Sequence, residues 1–318
     1  MSKAALKISK HLTFKCLSNA LGLKGTVRML RLSVFFLLLA STSFGQQTID
    51  LIRLDHRFSP SKDTSGNSIA FHRTSFDLKI PIALDSAKKD VIYSNIVYHQ
   101  NVFSEGSNSI TFQNLRLVAG HVHTYKSGWK HQILAIGTLS AQRSLSLGSS
   151  KQIGGIALFK NESNLDRIWT FGVYANREFF GTLIVPIVGY NIKFNDKWRL
   201  NAFMPISAKL SYTASERLTL GAQFYSFQTS YMAQSSTYLH ASDQNLWMFS
   251  DLYLSDSFVL HFRVGHAVAR TFKNYQESEQ TNVRLMFLDI GPERPKTTNF
   301  LKDGLSFQAG LVFRLPTN

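Results

Sequence analysis

The clearest evidence for the fold class is the stretch at residues 183–224, which reads LIVPIVGYNIKFNDKWRLNAFMPISAKLSYTASERLTLGAQF. Alternate positions in it are mostly apolar, and the positions between them are mostly polar or small. A period of two residues is typical of β-strands that have one apolar face. Asn195-Asp196-Lys197 and Ala214-Ser215-Glu216 interrupt the alternation with residues that favour turns. The stretch therefore predicts consecutive antiparallel strands.

The same alternation recurs along most of the chain, from Phe76 onward, in residues 258–269 and in residues 305–314. Strands of roughly ten residues have the length that a tilted strand needs to cross a membrane. Trp129, Trp169, Trp198 and Trp247 are expected near strand ends, where interfacial aromatic girdles lie. We predict an all-β fold, an antiparallel transmembrane β-barrel of about twelve strands within a range of roughly ten to fourteen.

The low charge of the chain favours a membrane barrel over a soluble protein. Charged residues make up 17% of the sequence, whereas soluble surfaces usually carry about 25–35%. The mean hydropathy of −0.07 suits a barrel, because alternating strands average to a near-neutral value. A soluble periplasmic β-sandwich or jelly roll alternates with the same period and remains the alternative.

The N-terminal segment predicts export. Arg28 and Arg31 precede an apolar stretch at residues 32–40, and Ser43-Phe44-Gly45 has the small-x-small form of a cleavage site. Met29 is a second candidate start. We therefore assign residues 1–45 to a signal peptide cleaved near Gly45, residues 46–70 to a polar periplasmic lead-in, and residues 71–318 to the barrel. The expected location is the outer membrane of a Gram-negative cell.

The charge distribution and the cysteine content limit the partners and the reactions that the sequence predicts. Seven of the basic residues lie in residues 1–45, so the net charge of +15 falls to +8 over residues 46–318, without a Lys/Arg run. Nucleic acid is thus not an expected partner, whereas outer-membrane lipid and the barrel-assembly machinery are. The one cysteine, Cys16, lies in the predicted signal peptide, which leaves no thiol chemistry to the mature chain.

A family resemblance supports the barrel. Val185-Pro186-Ile187-Val188-Gly189-Tyr190, Trp198-Arg199-Leu200, Met204-Pro205 and Lys209-Leu210-Ser211-Tyr212 resemble an uncharacterised family of Bacteroidota outer-membrane barrels, domain of unknown function 6268. The similarity runs from about Phe76 to the C-terminus. It implies an outer-membrane barrel and no catalytic residues. Many outer-membrane proteins end on an aromatic residue, but here Arg314-Leu315-Pro316-Thr317-Asn318 follow Phe313.

The candidate site is the polar face of the strands. Lys193, Arg199, Lys209 and Arg263 fall on the side predicted to face the lumen, and basic rings favour anions in pores. The function that follows is a pore or a binding barrel for small or anionic solutes. Alternatively, these cations pair with inward acids such as Asp251 and fill a closed barrel.

Enzymatic readings are weaker, and no catalytic residue, cofactor or metal is expected. His121, His123 and His131 could be brought together by a turn at residues 126–128 as a zinc set, but no acidic neighbour in sequence orients them. His240-Ala241-Ser242 faintly resembles the His-x-Ser arrangement of an outer-membrane phospholipase. A lipid hydrolase is therefore the remaining enzymatic alternative, next to the soluble binding protein.

Overall fold

The computed structural model describes residues 47–63, 65–87, 89–233, 236–295, 297, 299 and 301–317. The predicted signal peptide and its cleavage site lie outside these residues. The chain divides into two compact units. The larger, Asp50–Leu315, contains the barrel; of the smaller, residues 1–49 and 316–318, the described residues are extended strand.

Strands account for most of the described residues of the larger unit. Among the described residues, no helix is long and apolar enough to cross a membrane. The strands are β1 (Gln47–Lys62), β2 (Ser68–Ala83), β3 (Asp90–Glu105), β4 (Asn108–Thr124), β5 (Trp129–Gln142), β6 (Lys151–Asn161), β7 (Arg167–Glu178), β8 (Gly181–Lys193), β9 (Trp198–Met204), β10 (Ser207–Ser215), β11 (Leu218–Met232), β12 (Thr237–Tyr253), β13 (Phe258–Gln276), β14 (Val283–Leu285), β15 (Leu288–Ile290) and β16 (Leu305–Thr317).

Fourteen of the strands that the structure describes close into an antiparallel barrel. Each of β1 to β12 pairs with the next strand in sequence, β13 pairs with β16, and β16 pairs with β1. The all-β barrel is confirmed, but the count of about twelve is too low. One ring of paired strands also differs from the two facing sheets of the sandwich alternative. We call the end where β1 begins the turn end, and the opposite end, with the long connection 277–304, the loop end.

A strand also occupies most of the predicted lead-in, since β1 covers residues 47–62 and β2 begins at Ser68. The segment reads as polar because its inward face carries Arg53, Asp55, Arg57 and Ser59, two of them charged and buried. Its outward face carries Ile52, Leu54 and Phe58, which are exposed. The barrel therefore includes the strand that begins at Gln47, although the sequence predicted a lead-in up to residue 70.

Apolar side chains cover the outside of the barrel. Ile153 and Met248 are 69% and 62% exposed, and large apolar side chains from most strands are similarly open. Trp129, Trp169 and Trp198 are exposed near the turn end, and Trp169 stacks on Tyr190 with ring centroids 4.0 Å apart. Trp247 differs from the expectation of a girdle residue, because it points inward and is buried.

A buried ion network lies inside the barrel and ties four strands together. Asp243 on β12 accepts hydrogen bonds from Arg57 Nη1 at 2.8 Å and from Arg270 Nε at 3.0 Å. Arg57 also donates to Asn245 Oδ1 and to Ser306 Oγ. Buried charges require such compensation, so the network fixes the positions of β1, β12, β13 and β16.

The loop end of the barrel is packed. There the last part of β11 crosses the interior, and Met232 pairs with Ala141 of β5 in parallel. Glu178 Oε2 accepts hydrogen bonds from the Ser230 amide at 2.8 Å and from Ser230 Oγ at 2.7 Å, which anchors the crossing segment. Beside it, a buried apolar cluster fills the interior; its aromatic members are Phe71, Phe103, Phe112, Tyr231 and Phe272.

The wall is irregular next to β8. β9 pairs with the half of β8 near the turn end, from Val188 to Lys193. Near the loop end, Thr182–Ile184 instead pair in parallel with β14, part of a small hairpin formed by β14 and β15. The wall beside β8 is therefore made by two separate hairpins.

Candidate functional site

A cavity of about 570 Å³ lies inside the barrel on the turn-end side of the aromatic cluster. Its volume is within the range of about 300–1,000 Å³ that small-molecule sites occupy. Its walls differ in chemistry. Strands β1 to β4, β13 and β16 provide most of the charged and polar lining, whereas β5, β6 and β8 provide an apolar lining. The cavity is thus amphipathic.

Cations dominate the polar wall. Two acidic side chains, Asp55 and Asp77, line the cavity. They face six basic side chains, from Arg53, Arg57, Arg73, Lys79, Arg116 and Arg263. Positively charged side chains in a confined, poorly solvated space favour an anion over a cation or a neutral solute.

Half of these cations are paired within the protein. Arg53 contacts Asp50 at 2.5 Å, Arg57 contacts Asp243 at 2.8 Å, and Lys79 contacts Asp77 at 3.6 Å. Within the described residues, Arg73, Arg116 and Arg263 have no carboxylate oxygen within 4 Å. Arg73 donates to Asn101 Oδ1 at 2.6 Å and lies over the Phe227 ring at 4.2 Å. These three guanidinium groups are the candidate anion ligands.

The cavity also holds polar atoms without partners. The Nε atoms of Arg116 and Arg263 are buried and have no hydrogen-bond partner among the described residues. The same is true of buried polar atoms on six further lining side chains: Asp55, Asp77, Asn95, Asn114, Gln223 and Thr229. Buried polar groups in folded proteins are nearly always hydrogen-bonded, so these atoms favour a polar occupant.

The opposite wall of the cavity is lined by aliphatic side chains, which suit contact with a hydrocarbon group. It consists of side chains from β5, β6 and β8, namely Leu134, Ile136, Ile156, Leu158, Leu183 and Val185. These residues follow the inward positions of their strands, so their outward neighbours, such as Ile133 and Ile153, remain exposed. Both faces of these strands are therefore apolar, one toward the exterior and one toward the cavity.

The four basic residues singled out in the sequence have different surroundings. Arg263 lines the cavity. Lys209 Nζ lies 3.5 Å from Asp251 Oδ2 and 4.1 Å from the centroid of the Phe249 ring. Lys193 and Arg199 are a cross-strand pair at the turn end, and Lys193 Nζ contacts Asp196 at 2.7 Å. The structure thus brings one of the four into the cavity.

The Lys193 contact belongs to the surface of the turn end. Asp196 lies in the turn between β8 and β9, and its side chain is 94% exposed. The hydrogen bond from Lys193, together with its charge, holds the pKa of Asp196 below its ordinary value. Asp196 is therefore charged at neutral pH, and Lys193 is already paired.

The three candidate zinc ligands come together on the outside of the barrel at the turn end. Their ring centroids are 5.6–6.2 Å apart. Asp90 of β3, distant in sequence, contacts His121 Nε2 at 3.0 Å and His123 Nδ1 at 2.7 Å. Even so, no group of three or more His, Cys, Asp or Glu side chains in the described part of the chain has an arrangement that could hold a metal ion.

The ring of His240, the histidine of the His-x-Ser segment, contacts Gln228, Arg294 and Phe180. Its Nε2 atom hydrogen-bonds to the Gln228 side chain at 2.9 Å, and its Nδ1 atom lies 3.4 Å from Arg294 Nη1. Its ring packs on Phe180 with centroids 4.6 Å apart. These contacts join the connection 277–304 to the barrel wall.

Of the three unpaired cations in the cavity, Arg73 and Arg116 were not predicted from the sequence. Arg116 does alternate with Leu115 and Leu117 on β4, so a period of two would have placed it inward. Arg73 lies just before Phe76, where the clear alternation begins. The sequence does not show which cations find partners across the ring.

Comparisons with known proteins return barrels and one family. Three of the solved structures that match are the translocator domain of autotransporter NalP from Neisseria meningitidis, an outer membrane channel from Pseudomonas putida F1, and the toluene transporter TodX from P. putida. They share 9%, 10% and 9% identity and give TM-scores of 0.37, 0.44 and 0.38. The matches cover 94%, 86% and 87% of this chain and 98%, 100% and 91% of theirs. No curated protein matches the sequence.

The family assignment rests on a separate comparison. A family model described as a domain of unknown function, DUF6268, matches residues 67–311. This range covers most of the barrel, from the turn before β2 to β16. The chain is therefore a member of the DUF6268 family.

Proposed function

We propose that this chain is an integral outer-membrane β-barrel that binds small anionic solutes in its cavity and catalyses no reaction. The observation that carries the binding proposal is the presence of Arg73, Arg116 and Arg263 in the cavity lining, each without a carboxylate partner among the described residues. The packed aromatic cluster at the loop end favours a binding barrel over a wide pore.

The membrane location is supported by the exterior. Exposed apolar side chains occur around the ring, and tryptophans lie near the turn end, as an apolar band and an interfacial girdle require. The turn end is then the periplasmic end, because such barrels have short turns on the periplasmic side and longer loops on the extracellular side. We assign residues 1–45 to an export signal and expect insertion by the barrel-assembly machinery into outer-membrane lipid.

Two measurements test the membrane assignment. Cell fractionation should recover the protein with the outer membrane, and it should be extracted by detergent but not by salt or alkali. The extracted protein should migrate differently in gel electrophoresis before and after boiling, since folded barrels resist the detergent. A protein recovered in the soluble periplasmic fraction would contradict the assignment.

Titration of the detergent-extracted barrel with benzoate tests anion binding. We expect Arg116→Gln to weaken binding by roughly 10- to 100-fold, because a hydrogen bond to a charged group contributes about 1.5–3 kcal/mol. Arg217→Gln is the matched control, since Arg217 is exposed in the turn between β10 and β11. Equal loss in both variants, or no binding to the wild-type protein, would contradict the proposed function.

A further inference from the structure

The cavity reaches an interruption in the barrel wall. On β8, the pairing with β14 ends at Ile184 and the pairing with β9 begins at Val188. On β11, the pairing with β10 ends at Tyr225, and the Ser226 amide makes one more hydrogen bond, to Ile206 O at 2.8 Å. Between these points the described strands leave an unpaired gap, which we call the notch.

The rim of the notch is apolar and joins the cavity to the exterior. The turn between β9 and β10, Pro205-Ile206, lies on its turn-end side, and the turn of the β14–β15 hairpin, Met286-Phe287, lies on its loop-end side. All four residues line the cavity. Phe287 is also 54% exposed, so one side chain borders both the interior and the outer surface.

The height of the notch places it beside hydrocarbon. Pro186 lies seven residues from Lys193 along β8, or about 18 Å above the turn end for a rise of ~3.3 Å per residue and a tilt of ~40°. The apolar band of an outer-membrane barrel is about 25 Å tall. The exposed side chains of Val188, Met204 and Leu288 surround the notch and continue the apolar surface.

We propose that the ligand is a single-chain anionic amphiphile, such as a long-chain carboxylate, and that it passes between the cavity and the membrane through the notch. The carboxylate would bind the unpaired guanidinium groups of Arg73, Arg116 and Arg263. The chain would lie along the apolar wall formed by β5, β6 and β8, which begins at the notch with Val185. This inference rests on the proposed function and adds the class of solute and its route.

Chain length tests the class of solute. Barrels in lipid nanodiscs are titrated with butyrate, octanoate, dodecanoate and dodecanol, and empty nanodiscs correct for partitioning. Each added methylene buried on the apolar wall should tighten binding about fourfold until the wall is filled. Dodecanol should bind at least tenfold more weakly than dodecanoate. Equal affinities for butyrate and dodecanoate would overturn the proposal that the ligand is an amphiphile. They would leave the proposed anion-binding function intact.

Blocking the notch tests the route. In a Cys16→Ser background, Phe287→Cys is modified with a bulky maleimide, and Val264→Cys on the exposed face of β13 is the matched control. A second notch variant, Ile206→Cys, covers the case that the first does not fold, which heat-modifiable mobility reports. Loading of a fluorescent dodecanoate analogue is measured in two arms. In one arm the analogue is dissolved in the nanodisc lipid, and in the other it is supplied in water to barrels without lipid.

The proposal expects the modified notch to slow loading from lipid by tenfold or more, with no change in the modified control. Loading from lipid at an unchanged rate would overturn the lateral route. Slowing confined to the arm supplied in water would also overturn it, because it would identify the aqueous phase as the source. Benzoate binding to the unmodified wild-type barrel tests the anion site separately from the route.

Discussion

Removing the negative charge of Asp243 should destabilise the barrel more than any conservative change at its surface. Asp243 is fully buried and accepts hydrogen bonds from Arg57 and Arg270, each of which is 4% exposed. Asp243→Asn keeps the size and shape of the side chain. It leaves two guanidinium groups in the interior that have lost their shared counter-charge.

The expected cost follows from the geometry of this network. Removing one partner of a buried ion pair typically costs about 3–5 kcal/mol, because the remaining charge stays desolvated. Arg57 retains hydrogen bonds to Asn245 and Ser306, which soften the loss. We therefore expect about 3–5 kcal/mol, a change of roughly 100- to 4,000-fold in the unfolding equilibrium.

The assay is equilibrium unfolding of the purified barrel in detergent or lipid vesicles with urea, followed by tryptophan fluorescence and heat-modifiable mobility. Lys193→Gln is the control, since Lys193 pairs with an exposed carboxylate and should change stability little. The double variant Asp243→Asn/Arg270→Gln should lose less than the sum of its single variants. A loss below about 1 kcal/mol for Asp243→Asn would show that the buried ion network does not stabilise the barrel through its charges.

Three other substitutions test other parts of the barrel. Phe103→Ala should cost about 3–5 kcal/mol in the same unfolding assay, because Phe103 packs in the buried aromatic cluster. Ile133→Lys should cost about 2–4 kcal/mol in vesicles, since Ile133 is exposed on the apolar exterior; an unchanged stability would argue against a lipid-facing position. Glu178→Ala should release the crossing part of β11 from Ser230, detected as faster protease cleavage in the connection between β11 and β12; wild-type cleavage rates would contradict that anchor.

The sequence predicts the kind of fold better than its extent. The alternation at residues 183–224 identifies the antiparallel strands of β8 to β11 correctly, because each has one apolar and one polar or small face. β1 was not predicted as a strand, because the charged residues on its inward face gave the segment the composition of a polar lead-in. β9 and β10 are short, and the notch lies where they end. The local sequence pattern does not predict this gap.

The site was harder to predict, because it depends on pairing across the ring. Arg57 and Asp243 are 186 residues apart in sequence, yet their side chains are 2.8 Å apart. Lys209 lies near Asp251, as the closed-barrel alternative proposed, whereas Arg263 lines the cavity. Local alternation indicates which side chains point inward, but only the three-dimensional arrangement separates paired cations from unpaired ones.

The most direct test of the anion-binding cavity is a crystal structure of the barrel with 4-bromobenzoate, located by the anomalous scattering of bromine. If the cavity binds anions, a bromine peak should lie inside it, with the carboxylate within hydrogen-bonding distance of Arg116 or its neighbours Arg73 and Arg263. Bromine peaks confined to the outer surface, at a ligand concentration that saturates binding, would contradict it.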